Sequence, residues 1–292
     1  MTIAEMLEAQ NSDEGAQEPP KGIFESFETY LATIHSYTAP QASWLANSHI
    51  VETDSALVIF DVPSSLSFAQ QFRDYVDSLG KPVDRIYISD DHIDQWLGLS
   101  LFPEVPAYTF QQIIDKVAES RPALEQLRQE EFGQLAFDTK INIQQLRVHS
   151  DIVDGLTYEF ELLEKAQSQW QLMIWLPEIS VVLAQGLLSN NVHSSLAQPD
   201  LQSWIRNLAV FSVDAKDHHI FVGHGYPAQV DVSQISKQIE YIQTMGRIFK
   251  TSHNLSNEET AAAIQSAYPS YEGKALADLS AAYYQDTLKV SD

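Results

Sequence analysis

No cysteine occurs in the 292 residues of the chain. Disulfides and thiolate metal sites are therefore excluded, and a bound metal would depend on His, Asp, Glu or backbone oxygen. Basic residues are scarce as well: 17 Lys and Arg stand against 40 Asp and Glu, a formal net charge of −23. A surface of that sign repels nucleic-acid phosphates and anionic membranes, so neither is expected as a partner. Long apolar runs are also missing, and those present, such as Ile179 to Leu188, are too short to span a bilayer. Met1 to Lys21 has neither the basic start nor the apolar stretch of a secretory signal, which makes a cytoplasmic location the default expectation.

What remains is enough for a large core, with 44% apolar residues and 10% aromatics. Residues 1–21 are polar and acidic, contain Pro19-Pro20, and read as a mobile leader. Ser48 to Glu52 and Ala56 to Phe60 pattern as a hairpin turning at Asp54-Ser55. The second arm is apolar at every position, as in a strand covered on both faces. Phe68, Phe72, Tyr75, Val76 and Leu79 share one face of a helix over Ser67 to Leu79, which Gly80 ends. Val83 to Ile88 is a short buried strand, so the polar stretch Ser89 to Gln95 follows a strand–helix–strand unit. Phe110 to Leu127 reads as largely helical. Leu146 to Val148, Leu156 to Leu163, Trp170 to Leu176 and Val181 to Ala184 read as strands. Pro199 to Leu208 reads as a helix and His219 to Val222 as a last strand. Ile235, Ile239, Ile242, Met245 and Phe249 then form an apolar helical stripe, with a second helical run from Glu258 to Tyr284 broken near Pro269. Two sheets faced by helices account for this order.

The segment order from about Trp44 to Tyr284 resembles the metallo-β-lactamase superfamily. The residues that carry the resemblance are Asn47-Ser-His-Ile-Val-Glu-Thr53, Leu57-Val-Ile-Phe-Asp61, Leu176-Pro-Glu178, Val192-His193, Gly223-His-Gly225, Ile239-Glu-Tyr-Ile-Gln243 and Ala267-Tyr-Pro-Ser-Tyr-Glu-Gly273. It implies an α/β fold, an αββα sandwich, over residues 22–230, with a helical C-terminal extension over 231–292 packed on it.

The family's metal loop reads His-x-His-x-Asp-His after a buried strand and helps to hold a metal pair that activates a hydroxide. Here that place reads Asp90-Asp91-His92-Ile93-Asp94-Gln95. The resemblance places a further ligand within Ala166 to Trp170, which offers no strong donor. It places the bridging aspartate at Gly186 and the final histidine at His224. The motif is degenerate, and without the bridging carboxylate the repulsion between two dications is uncompensated. Two-zinc hydrolysis is therefore not expected.

Asp90, His92, Asp94 and His224 could form a single site for one divalent ion (Zn, Mn or Fe), or there is no cofactor. These four descend from two half-sites and need not converge. Asp94 with His92 is the candidate catalytic pair, with or without a metal. His193, Gln95 and Trp96 are candidate pocket residues, and Asp61 would support the metal loop from behind. Each has a plainer reading. His92 could be a relic hydrogen-bonded to Asp90 or Asp94, His224 a turn residue between glycines, Asp90-Asp91 an acidic loop, His193 a capped loop, and Trp96 core packing. Two functions remain open. One is a pseudoenzyme or strongly altered small-molecule hydrolase. The other is a mononuclear-metal hydrolase or lyase acting on an ester, lactone, thioester or amide. A small-molecule ligand is the expected partner, and a homo-oligomer through the C-terminal helices is compatible with the sequence.

Overall fold

The computed structural model describes residues 20–120, 142–196 and 200–291. Most of the leader, the helical reading past residue 120 and Pro199 lie outside the described residues. The first sheet holds seven strands in sequence order: β1 (Ile23–Glu28), β2 (Thr33–Thr38), β3 (Asn47–Glu52), β4 (Leu57–Phe60), β5 (Val83–Tyr87), β6 (Ala107–Thr109) and β7 (Ile143–Gln145). β1 to β4 run antiparallel, and β4 through β7 are parallel. Between β4 and β5 lies α1 (Leu66–Ser78), which buries Phe68, Ala69, Phe72 and Val76. Gly80 closes this helix at φ +69°, a left-handed conformation that costs glycine little. After β5 comes α2, a single turn (Ile93–Trp96), and after β6 the chain is helical over 111–120, here α3.

The second sheet contains β8 (Ser150–Val153), β9 (Leu156–Glu164), β10 (Trp170–Leu176), β11 (Val181–Asn190), β12 (His219–Gly225) and β13 (Gln229–Val230), in the order β13-β12-β11-β10-β9-β8. Between β11 and β12 lies α4 (Leu201–Asp214). After β13 come α5 (Ser233–Thr251), α6 (Asn257–Ala267) and α7 (Lys274–Ser291).

Alternation along the strands of the second sheet builds two cores. Leu172, Ile174, Val181, Leu183 and Phe221 face the first sheet. Met173, Val182, Ala184, Ile220 and Val222 face α4 to α7, where they meet Trp204, Leu208, Ile242, Met245 and Phe249. Leu57 to Phe60 are buried at every residue because α1 covers the face of β4 turned away from the second sheet.

Several expectations need correction. The strand expected at Leu146 to Val148 is Ile143–Gln145, because Ile143 is the residue that pairs with β6. β12 is not the last strand: β13 returns antiparallel to it through Ile220↔Val230. β11 and α4 both extend well past the ends expected for them, and β6 and β8 are short strands that the apolar pattern did not reveal.

The sheets are also stitched by polar groups. Asn47 Nδ2 donates to Val222 O at 2.9 Å and to Gly225 O at 3.0 Å. His49, fully buried, sits 3.2 Å from Val222 O through Nε2 and 2.9 Å from Ser36 Oγ through Nδ1. A carbonyl can only accept, so Nε2 carries the proton and Nδ1 of the neutral ring accepts from Ser36. Burial outweighs the bonds to Val222 and Gln185 and lowers the His49 pKa to about 4 from an ordinary 6.5. That gap corresponds to about 3 kcal/mol. Because the folded value is the depressed one, the contribution is complete above pH 6.5 and is lost as pH falls toward 4. We expect urea-unfolding stability of the wild type to fall between pH 7 and pH 4.5. The fall should be shallower in His49→Gln, which keeps a donor for Val222 but has nothing to protonate. Parallel curves for the two proteins would refute this assignment.

Candidate functional site

The candidate residues gather where β4, β5, β11 and β12 end. Asp61 follows β4 in a left-handed conformation, φ +65°, which aspartate tolerates better than most residues. Its Oδ1 accepts the Ser89 N–H at 2.7 Å and its Oδ2 accepts from Gln185 Nε2. Burial pushes the Asp61 carboxyl well above the usual carboxylate range, assisted by the charge of Asp90 and opposed by the Ser89 and Gln185 hydrogen bonds. Ser89 O in turn accepts the Leu172 N–H at 2.7 Å, joining the loop after β5 to the second sheet. Asp61 is thus tied to the loop through Ser89 and to the second sheet through Gln185.

Within the loop, Asp90 Oδ1 accepts the backbone N–H of His92 at 2.9 Å, a short aspartate turn that bends the chain into α2. His92 Nδ1 lies 3.1 Å from the same oxygen, an ion-pair separation without hydrogen-bond alignment. Burial opposes charge on this imidazole, but the carboxylates of Asp90, Asp91 and Asp94 prevail and raise its pKa to about 10. Asp94 Oδ2 is 2.9 Å from Nε2 of His224, and both side chains are buried. The loop therefore does reach Gly223-His224-Gly225. The pairing differs from the expected one, however. Asp94 is bonded to His224 and His92 stands against Asp90, so the candidate pair Asp94 with His92 is not formed.

The other candidates are interior residues. Gln95 is completely buried, and neither end of its amide has a hydrogen-bond partner. Trp96 is 1% exposed, packs in the hydrophobic core and donates its indole N–H to Asp91 O at 3.1 Å. His193 is also 1% exposed. Its Nδ1 is 3.1 Å from the Tyr241 hydroxyl, its backbone N–H donates to Glu272 O, and its ring lies among Tyr241 and Tyr271 of the C-terminal extension. Pocket roles for Trp96 and His193 meet the same physical obstacle: neither offers surface to a ligand in this conformation. His92, with 31% of its side chain exposed, is the member of the cluster that reaches solvent.

Sequence reasoning passed over the glutamines. β11 breaks its register with β12 around Gln185, which has φ +42°. Such bulges re-aim side chains beside active sites. Gln171 Nε2 donates to Ala184 O at 2.8 Å, while its Oε1 and that of Gln185 have no partner. Gln167, in the turn between β9 and β10, points its Oε1 at Gly186. A lone polar residue inside an otherwise apolar strand, as at Gln171 and Gln185, was the available signal.

No family model matches the chain, and no curated protein matches it. Solved structures do. A metallo-β-lactamase from Pontibacter korlensis aligns at 16% identity over 76% of this chain and 99% of its own, with a TM-score of 0.57. The chain has the metallo-β-lactamase fold. Metallo-β-lactamase IND-7 gives 15% identity, 77% and 100% coverage and a TM-score of 0.59. Metallo-β-lactamase FIM-1 from Pseudomonas aeruginosa, in a mono-zinc form, gives 15% identity, 79% and 98% coverage and a TM-score of 0.56. No helix among the described residues is long and apolar enough to cross a membrane.

The metallo-β-lactamase fold invites a test of whether these residues suit a metal, and they do not. Among the described residues no group of three or more His, Cys, Asp or Glu side chains is arranged to hold an ion. Asp90, His92, Asp94 and His224 do not converge as the expected single site: Asp94 is bonded to His224, while His92 stands against Asp90 as a separate pair. The position that the resemblance implies for the bridging carboxylate is Gly186. A Cβ added there would meet Gln167 Oε1, the far end of a flexible side chain, and would lie 3.4 Å from Asp90 Oδ2.

The Asp94–His224 pair gives a direct measurement. Burial alone would raise the Asp94 pKa, but the hydrogen bond and charge of His224, with that of His92, hold it below the ordinary carboxylate value. A depressed folded pKa stabilises fully above the unfolded value of ~3.9, and that stabilisation is lost as pH falls from there through the lower folded value. We expect Asp94→Asn to destabilise the protein by about 1–3 kcal/mol at pH 7 in urea. The penalty should shrink toward pH 3, and an undiminished penalty there would exclude the ionised carboxylate as its source.

Proposed function

We propose that this chain is a pseudoenzyme of the metallo-β-lactamase fold: a binder of a small polar molecule that no longer carries out metal-dependent hydrolysis. The supporting observation is the internal pairing of the old donor set, Asp94 with His224 and Asp90 with His92. A donor already bonded to a neighbouring donor offers an incoming ion only what is left after that bond breaks. The chemistry that a metal supplies in this fold, a hydroxide formed near neutral pH, has no convergent ligands here.

The surroundings favour binding. Ser89 Oγ, both ends of the Gln95 amide, Gln171 Oε1 and Gln185 Oε1 are buried polar atoms with no protein partner. Such atoms are costly when dry, and water or a polar ligand satisfies them. They supply both donors and acceptors, which fits a neutral polar molecule better than an apolar one, and because all lie in the interior that molecule must be small enough to enter it.

Elemental analysis of protein prepared without chelator or nickel resin tests the reading. Zn, Mn and Fe should each be well below stoichiometric, and EDTA should leave the thermal midpoint unchanged. Zinc at 100 times its Kd would add about 2.7 kcal/mol to a protein with a true site, and no such shift is expected. A stoichiometric ion that is lost in His224→Ala would replace this reading with a mononuclear-metal enzyme.

A further inference from the structure

At Gly186, where the resemblance implies the bridging carboxylate, the side chain that lies against the backbone is Gln167. A Cβ built on Gly186 would come closer than 3.0 Å to Gln167 Oε1 and lie 3.4 Å from Asp90 Oδ2. Both of those oxygens are buried and neither has a hydrogen-bond partner. Two acceptors turned toward one small space satisfy nothing. A glutamine amide has nearly the same shape when turned end for end, and turning it puts an N–H donor beside the carboxylate.

We propose that Gln167 is an internal latch: its side-chain amide donates to Asp90 Oδ2 across the face of Gly186, tying the loop after β5 to the turn between β9 and β10. The inference rests on the metal-free reading above and deepens it, since one hydrogen bond to a charged oxygen takes over the cross-linking that a bridged metal would perform. Bonds of this kind are about twice as strong as neutral ones.

The latch also explains the glycine. Gly186 is not among the residues with positive φ, so its backbone suits any amino acid. The contact inside the normal limit comes from the tip of Gln167, a flexible side chain that can swing aside. An alanine at 186 would therefore remove the hydrogen bond, not strain the strand. Its effect on stability should then depend on whether Gln167 is present.

Wild type, Gly186→Ala, Gln167→Ala and the double variant form a cycle to be unfolded in urea at pH 7. With Gln167 present, Gly186→Ala should lower the folded-to-unfolded ratio roughly tenfold or more. In the Gln167→Ala background the same change should have little effect, and equal losses in both backgrounds overturn the latch. NMR of the 15N-labelled wild type provides a second readout. The Gln167 side-chain NH2 pair, identified by its disappearance in Gln167→Met, should exchange slowly with water in the wild type and faster in Gly186→Ala. Rapid exchange in the wild type also overturns the proposal. Elemental analysis of the same samples separates the two claims. A bound metal sinks the metal-free reading, whereas metal-free protein without coupling sinks the latch alone.

Discussion

A carboxyl group with no solvent contact has to be bonded from every side, and Asp61 imposes that condition on the whole site. Its two oxygens take the Ser89 N–H from one sheet and the Gln185 amide from the other. Meeting both requires β4 to end in a left-handed residue and β11 to bulge at Gln185. The bulge shifts the register of everything after it on β11, so that Ser189 and Asn190 come level with His224 and Gly225. Asn47 and His49 close the same seam from β3 by bonding the carbonyls of β12. The position of His224, and hence its meeting with Asp94, follows from this seam.

Charge is arranged around the seam with the same economy. Asp61, Asp90 and Asp94 crowd a space that in a metal enzyme would be neutralised by cations. Here positive charge comes from imidazoles: that of His92, whose high pKa reflects the three nearest loop carboxylates, and that of His224 beside Asp94. Neutral groups carry the rest. Burial drives Asp61 toward its protonated form, and amides from Gln185, and by our proposal Gln167, serve the others. A cluster of carboxylates that would repel itself is held by imidazole charge and by hydrogen bonds.

The sequence made the fold legible because burial leaves a dense mark. β4, β10 and α1 were readable from unbroken or periodic apolar residues, whereas β6 and β8 are too short to show a period and Ile152 on β8 is largely exposed. The positions of the depleted site were also legible, since Asp90, His92 and Asp94 lie within five residues of one another and His224 stands between two glycines, at the end of β12 and not in the turn expected for it. Their partners were not. Which aspartate meets which histidine depends on a bulge at Gln185 and on a turn at Gln167, more than 70 residues from the loop, and no local spacing encodes that. The polar residues within apolar strands, Gln171 and Gln185, marked where the seam runs. Reading them as burdens needing partners, and not as interruptions, would have located it.

The retained polarity bears on why the structure exists in this form. A site that had lost its metal and had only stability to answer for would gain by exchanging Gln95, Gln171 and Gln185 for leucine or methionine, because buried ion pairs and amides commonly give way to apolar packing without loss. Each of these glutamines instead keeps at least one buried atom without a protein partner. Trp96 and Leu97 show that apolar bulk is accepted within a residue or two of the loop, so the surroundings do not forbid it. On our proposal these buried polar atoms, unpartnered within the protein, are kept for a small polar molecule that reaches them in the interior and not for the needs of the fold.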